Sequence, residues 1–270
     1  MSKKQGATNK EQGGIKTSRN NENNMIYDLI VIGGGPAGMI GAGRAAENGA
    51  RVLLLEKNSR LGAKLLVTGK GRCNITNAEA DLKKFITNYG PKGKFLFSSF
   101  SRFNNHDVIN FFENYGVVTK VERGERVFPT SDRSDSVLSA LAQYMRKNKV
   151  GVKLKAEVRE IIVKDKRIEK IVLTSGEELS AEKYLIATGG KSYPGTGSTG
   201  TAFEWLKKMG HRIIPPRPAL APIIVKENWV KELAGLSLKN VAINVYQNNK
   251  KVDSRFGEAL FTHNGLSGPI

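Results

Sequence analysis

The hexapeptide Gly33-Gly34-Gly35-Pro36-Ala37-Gly38 has the spacing of a phosphate-binding turn. That chemistry needs room more than it needs side chains. Gly33 permits a tight turn. Gly35 lets backbone approach a pyrophosphate that a Cβ would hold off, and Gly38 lets a helix lie close to a strand. Pro36 and Ala37 fall in the first turn of that helix, where free N–H groups and the positive dipole end meet an anion. Glu56 follows Gly38 by 18 residues. A carboxylate there accepts hydrogen bonds from ribose hydroxyls and repels a 2′-phosphate. Lys57 stands beside it.

The hexapeptide alone is a weak signal, so its flanks decide. Ile26 to Ile32 is a short apolar run ending at glycines, which predicts a buried parallel strand. A helix is predicted from Pro36 to about Asn48, closed by Gly49, with Ala42 and Ala46 continuing the small-residue face begun at Gly38. A second strand, Arg51 to Glu56, completes a βαβ unit. Residues 57–78 read as a long loop, and loops of that length are usually functional or disordered. Helices are predicted near 79–87, 105–115 and 134–147, with Asn105 and Ser134 as N-caps. Residues 152–173 are β-rich with a turn near Lys164-Asp165-Lys166, and a short helix is expected over 200–209.

A second buried strand runs through Tyr184-Leu185-Ile186-Ala187 into Thr188-Gly189-Gly190. In two-part flavoproteins such a strand returns to the dinucleotide sheet beside the cofactor. This signal favours FAD over NAD, and with one G-x-G-x-x-G present no separate NAD(P)H domain is expected. The fold expected is α/β: a Rossmann-like FAD/NAD(P)-binding domain with a parallel sheet. A β-rich part follows from about residue 211, where short strands alternate with prolines and polar turns.

Four blocks resemble the bacterial FAD-binding oxidoreductases of the BaiN-like, or aminoacetone-oxidase-type, family. They are Val31 to Gly38; Gly62 to Asn77, GAKLLVTGKGRCNITN; Ala187 to Gly200, ATGGKSYPGTGSTG, with Gly210-His211 and Pro218-Ala219-Leu220; and Phe261 to Pro269, FTHNGLSGP. The resemblance covers essentially all of 25–270. It implies a FAD domain interrupted by an inserted β-rich domain, with the chain later returning to complete the FAD site. On that expectation Ile270 falls inside the insertion and the β-rich domain is incomplete. The expected organisation is a disordered basic tail over 1–24, a FAD-binding domain over 25–195, and a partial β-rich substrate domain over 196–270. The family often has an acidic residue where Thr201 stands, which leaves that local contact open.

The resemblance also places the 62–77 loop against FAD, with Lys64, Thr68, Gly69, Gly71, Arg72, Cys73 and Asn74 at the cofactor. Cations there can stabilise negative charge on a reduced flavin, and amides can bond its pyrimidine edge. The competing reading is a structural loop with solvated cations. Cys73 beside Arg72 is either a lowered-pKa thiol or a packed loop residue. It is the only cysteine, so no internal disulfide can form, and a reducing cytoplasm suits it. His106, His211 and His263 lie far apart; no metal-ligand spacing appears and no metal is expected. His263 could face substrate, whereas His106 and His211 read as structural.

The formal net charge is +18. The first 24 residues hold five cations and two carboxylates, so the rest of the chain keeps +15. That field favours polyanions such as RNA, although a solvated basic surface is the plainer reading. No run of about twenty apolar residues occurs, so no transmembrane helix is expected. Three functions remain open. One is a cytoplasmic FAD-dependent oxidoreductase acting on a small-molecule substrate by hydride transfer. Another is a flavin-dependent RNA-modifying enzyme that reduces uridine to dihydrouridine, with rRNA as a candidate partner. The last is a non-catalytic FAD-binding remnant.

Overall fold

The computed structural model describes residues 27–218 and 221–270. The expectation of a tail over 1–24 lies outside the described residues, as do Ala219 and Leu220 of the third sequence block.

The chain divides into two units, the first ending at Ile213 and the second spanning Ile214–Ile270. In the first, β1 (Tyr27–Ile32), α1 (Pro36–Glu47) and β2 (Val52–Leu55) form the βαβ unit. There follow α2 (Ala63–Val67), β3 (Thr76–Asn77), α3 (Leu82–Thr87), α4 (Phe97–Phe100) and α5 (Asn105–Asn114). Next come β4 (Thr119–Glu122), β5 (Arg126–Pro129), α6 (Ser134–Lys147) and β6 (Gly151–Lys153). The unit closes with β7 (Val158–Lys164), β8 (Arg167–Leu173), β9 (Glu178–Leu179), β10 (Ala181–Ile186) and α7 (Thr201–Lys208).

The central sheet has the order β10-β1-β2-β6 and is parallel throughout. Val31 pairs with Leu185 on one side and Leu54 on the other. Side chains alternate along each strand, so the sheet seeds two cores. Val31 and Leu54 pack with Met39, Ala42, Leu141 and Met145 from α1 and α6. Ile30, Ile32, Leu53 and Leu55 pack on the opposite face with Ile171, Leu173 and Trp205. That second cover comes from the antiparallel sheet β7-β8-β9 and from α7. Helix α6 buries Val137, Ala140, Leu141, Tyr144 and Met145, one stripe at helical spacing.

Two expectations need correction. Residues 57–78 are not one structureless loop: they contain α2, a 3-10 turn over Thr68–Gly71, and β3. A five-residue helix is too short to show a hydrophobic period. The caps also shift by one residue. Asn104 caps α5 through a capping box with Asp107, and Arg133 precedes α6. Asn105 and Ser134 are instead buried and reach across to the 62–79 segment. Asn105 Nδ2 donates to Asn77 O and Glu79 O, both at 2.8 Å. Ser134 Oγ donates to Leu66 O at 3.0 Å.

The second unit is an antiparallel sheet. It is built from β11 (Ile223–Ile224), β12 (Ser237–Gln247), β13 (Lys250–Thr262) and β14 (Gly265–Ser267), in the order β11-β14-β13-β12. Asn248 and Asn249, both at positive φ, turn β12 into β13 as a two-residue hairpin.

Candidate dinucleotide site

Between β1 and α1 the chain passes over three glycines. Gly33 adopts φ +115°, and a Cβ there would lie 2.5 Å from Ala187 O at the end of β10. A Cβ on Gly38 would sit 1.9 Å from Gly33 O. These two glycines therefore serve the protein's own packing. Gly35 differs: a Cβ there would meet no protein atom within 4 Å. Gly35 is also the N-cap of α1. It supplies no side-chain cap, and the first turn holds no acidic residue. The first N–H groups of α1 are left for an external anion.

The end of β2 closes on this turn. Glu56 is buried, with Oε2 accepting from Gly34 N at 2.7 Å and Oε1 accepting from Asn58 N at 2.8 Å. Each carboxylate oxygen retains a second lone pair. Lys57 Nζ donates to Thr199 Oγ1 at 3.4 Å, and Asn58 Nδ2 donates to Thr196 O at 3.2 Å. Thr201, at the position where an acid was expected, shares a 2.8 Å hydrogen bond with Thr199. Residues 196–201 are thereby tied to residues 57–58.

These segments enclose a cavity of about 270 Å³. Gly33, Gly35, Pro36, Ala37, Glu56, Lys57, Lys64, Thr188 and Gly189 all line it. Gly38 and Gly190 do not. Small-molecule pockets usually measure about 300–1,000 Å³, so this chamber is sized for part of a dinucleotide. Gly62, Ala63 and Leu65, within the 62–77 loop expected at FAD, also line the cavity, whereas sequence reasoning did not single out Asn58, residues 156–158, residues 196–201 or Trp205, which line it too. Residues 196–201 lay within the quoted Ala187 to Gly200 block and its flank, so a signal existed there. Residues 156–158 arrive through the β6–β7 connection and carry no motif.

The rest of the 62–77 segment builds a different structure. Thr68, Gly69, Gly71, Arg72, Cys73 and Asn74 lie outside the cavity lining. Gly69, Lys70, Gly71 and Cys73 all take positive φ, giving a tightly wound turn. Thr68 Oγ1 donates to Leu65 O at 2.6 Å, and Cys73 N donates to Thr68 O at 3.1 Å. Cys73 is buried; that burial pushes its thiol up, against a lowering hydrogen bond with Thr68. A raised thiol is the reverse of an activated nucleophile. Arg72 Nη1 donates to Glu122 Oε1 at 2.8 Å and lies 3.4 Å from Asp132 Oδ1. Its guanidinium sits 4.1 Å from the centre of the Phe128 ring. The amide of Asn74, oriented by its hydrogen-bond network, donates to Val127 O and Thr76 O. The loop is thus anchored on the antiparallel sheet β3-β5-β4.

Among the described residues, no group of three His, Cys, Asp or Glu side chains could hold a metal. No helix among them is long and apolar enough to cross a membrane.

The donor set in the chamber fits a dinucleotide such as FAD. An uncapped helix N-terminus and two lysines match a diphosphate, the open space at Gly35 leaves room for it, and Glu56 matches ribose hydroxyls.

Comparison with known proteins agrees. Residues 27–265 match the HI0933-like protein Rossmann domain. The chain is 30% identical over 240 residues to 3-dehydro-bile acid delta(4,6)-reductase of Clostridium scindens, covering 88% of this chain and 57% of that protein. It is 31% identical over 244 residues to ribosomal RNA dihydrouridine synthase of Escherichia coli, covering 90% of this chain and 59% of that one. The chain thus spans less than two thirds of these relatives. The open conformation of a flavocytochrome c3 fumarate reductase superposes with a TM-score of 0.56 at 17% identity, over 88% of this chain and 51% of that one, which shows a shared fold. The chain belongs to the HI0933-like family of FAD-binding Rossmann proteins.

Proposed function

We propose that this chain is the FAD-binding part of an oxidoreductase whose reaction proceeds by hydride transfer through the flavin. The observation carrying this reading is the chamber where the open space at Gly35, the uncapped start of α1 and the buried Glu56 converge. In this reading the α1 N-terminus and Gly35 take the pyrophosphate. Lys57 and Lys64 offset its charge. Glu56 orients the ribose through its remaining lone pairs. Thr188 to Gly190 border the cofactor where β10 ends, and the turn from Thr68 to Asn74 borders its ring system. FAD supplies hydride transfer; the protein supplies binding, orientation and exclusion of water. In this reading the β-rich part, expected over 196–270 and formed by the unit Ile214–Ile270, contributes to substrate binding. The lone buried cysteine suits a cytoplasmic setting.

A second reading makes RNA the substrate, with a hydride and a proton added across a uridine C5=C6 bond. The net charge of +18 favours it, and so does similarity to the Escherichia coli synthase.

An absorbance spectrum of the purified chain, with mass identification of released cofactor, tests the proposal. A flavin spectrum with FAD released on denaturation is expected. A colourless protein that takes up no added FAD would overturn the assignment of these residues. Flavin reduction by a substrate separates an enzyme from a non-catalytic FAD-binding protein.

A further inference from the structure

Residues 82–106 contain no aspartate or glutamate but carry Lys83, Lys84, Lys92, Lys94 and Arg102. All five cations are exposed. The segment is also unusual in what else it exposes. Tyr89, Phe95, Phe97 and Phe103 are 51%, 89%, 48% and 44% exposed. A phenylalanine that is 89% exposed gains almost nothing from folding, so its place is not explained by the core.

The rings stand on a built base. Phe85 and Ile86 of α3 are buried. Phe85 meets Tyr89 and Phe100 edge-on at 5.7 and 5.1 Å, and Tyr89 lies 5.5 Å from Phe100. Gly93 packs so closely on α3 that a Cβ would stand 2.3 Å from Ile86 O. The exposed rings are therefore presented by short elements held to one another.

We propose that this surface docks single-stranded RNA, its cations following the phosphates and its exposed rings stacking on bases. Cations interleaved with exposed rings are the two components of a sequence-tolerant single-strand site. An anionic membrane would also attract the charge. However, every large apolar side chain strongly exposed in this segment is an aromatic ring, with no aliphatic among them. Stacking on bases uses rings specifically, whereas insertion into a bilayer draws equally on aliphatic residues. The inference shares its ligand class with the second reading above, and it concerns docking, not flavin chemistry.

The test is fluorescence anisotropy of a labelled oligouridylate with the whole FAD-loaded chain across a salt series. Affinity should fall as salt rises, by the release of counterions. Phe95→Ala combined with Phe97→Ala should weaken binding about tenfold or more, with the salt slope unchanged. Lys92→Gln combined with Lys94→Gln should weaken binding and flatten the slope by about 1.4. Lys250→Gln with Lys251→Gln, in the second unit, should leave affinity within about twofold, a loss too small for two phosphate contacts. Equal weakening by that control pair would reduce the effect to net charge and overturn the proposal. So would unchanged RNA binding by both surface variants, or their selective loss of binding to phosphatidylglycerol vesicles. Melting temperature and flavin absorbance confirm that each variant is folded. A colourless chain that still binds RNA through this surface defeats the cofactor reading alone; a flavin-loaded chain that ignores RNA defeats this inference and the RNA-substrate reading, and leaves the cofactor reading standing.

Discussion

Glu56 Oε2 accepts a 2.7 Å hydrogen bond from the amide of Gly34, so the end of β2 holds the glycine turn in place from beneath. Its other oxygen accepts from Asn58 N at 2.8 Å. The carboxylate is therefore a structural clamp for the turn as well as a candidate ribose ligand. Charge-assisted bonds of this kind contribute about 1.5–3 kcal/mol, and an orphaned buried amide costs about 1–3 kcal/mol.

Glu56→Ala should accordingly destabilise the protein by about 2–5 kcal/mol, since two amides lose their acceptor. Glu56→Gln keeps one acceptor oxygen and should lose roughly half as much. Both should weaken FAD binding. Urea unfolding of the apoprotein beside FAD titration separates the two effects. Equal stability of the three proteins would refute the clamp.

Gly35 and Gly38 stand three residues apart and should respond in opposite ways. Gly38→Ala places a methyl 1.9 Å from Gly33 O, so the turn must move. A cost of about 1–3 kcal/mol or more is expected even without cofactor. Gly35→Ser meets no protein atom and has an extended backbone, φ −79° and ψ 176°, that serine adopts freely. Its hydroxyl can cap α1, so apoprotein stability should hold or rise by up to about 1 kcal/mol. FAD affinity should nonetheless fall about tenfold or more, because the hydroxyl occupies the diphosphate's space and its N–H donors. Thermal melts with and without FAD read both outcomes. Tight FAD binding by the serine variant would remove Gly35 from the site.

The contrast between those two glycines marks how far the sequence could be read. The βαβ unit was legible because each of its signals repeats the others: the apolar run of β1, Pro36 at the helix start, Gly49 after its end and Glu56 beyond β2. Trp205 and residues 156–158 were not legible as cavity walls. They reach the chamber only through the packing of β7 and α7 against the central sheet, and no local spacing encodes that. Arg72 shows the same limit. The loop's resemblance placed it at the cofactor, and its partners Glu122 and Asp132, 50 and 60 residues away, could not be read from the sequence. Asn105 and Ser134 have cap-forming side chains, but burial turned both towards the 62–79 backbone.

Cys73 should be inert in the folded protein. Its burial raises the thiol and also keeps reagents out, so iodoacetamide labelling at pH 8 should be on the order of tenfold or more slower than in urea. Peptide mass spectrometry over a time course gives both rates. Rapid labelling of the native chain would restore a reactive thiol at this turn.

The network that anchors Arg72 sets a pH dependence whose sign follows from its carboxylates. Lys120 beside Asp132 holds that carboxyl below its usual range. Burial pushes Glu122 up, but Arg72 and Lys120 outweigh it and leave the group lowered. A carboxylate whose folded pKa is depressed contributes its stability above the unfolded value, about 4, and loses it as pH falls through the folded pKa. Lys120 is raised by Asp132, so its share is present below the unfolded value of about 10.4 and lost as pH rises through the folded pKa. Asp132→Asn should therefore lower the urea midpoint modestly between about pH 5 and 9 and converge with the parent in acid. All these groups are solvent-exposed enough for salt to screen them, so the gap should narrow in high salt. A gap that widens below pH 4 would mean that Asp132 acts through something other than its charge.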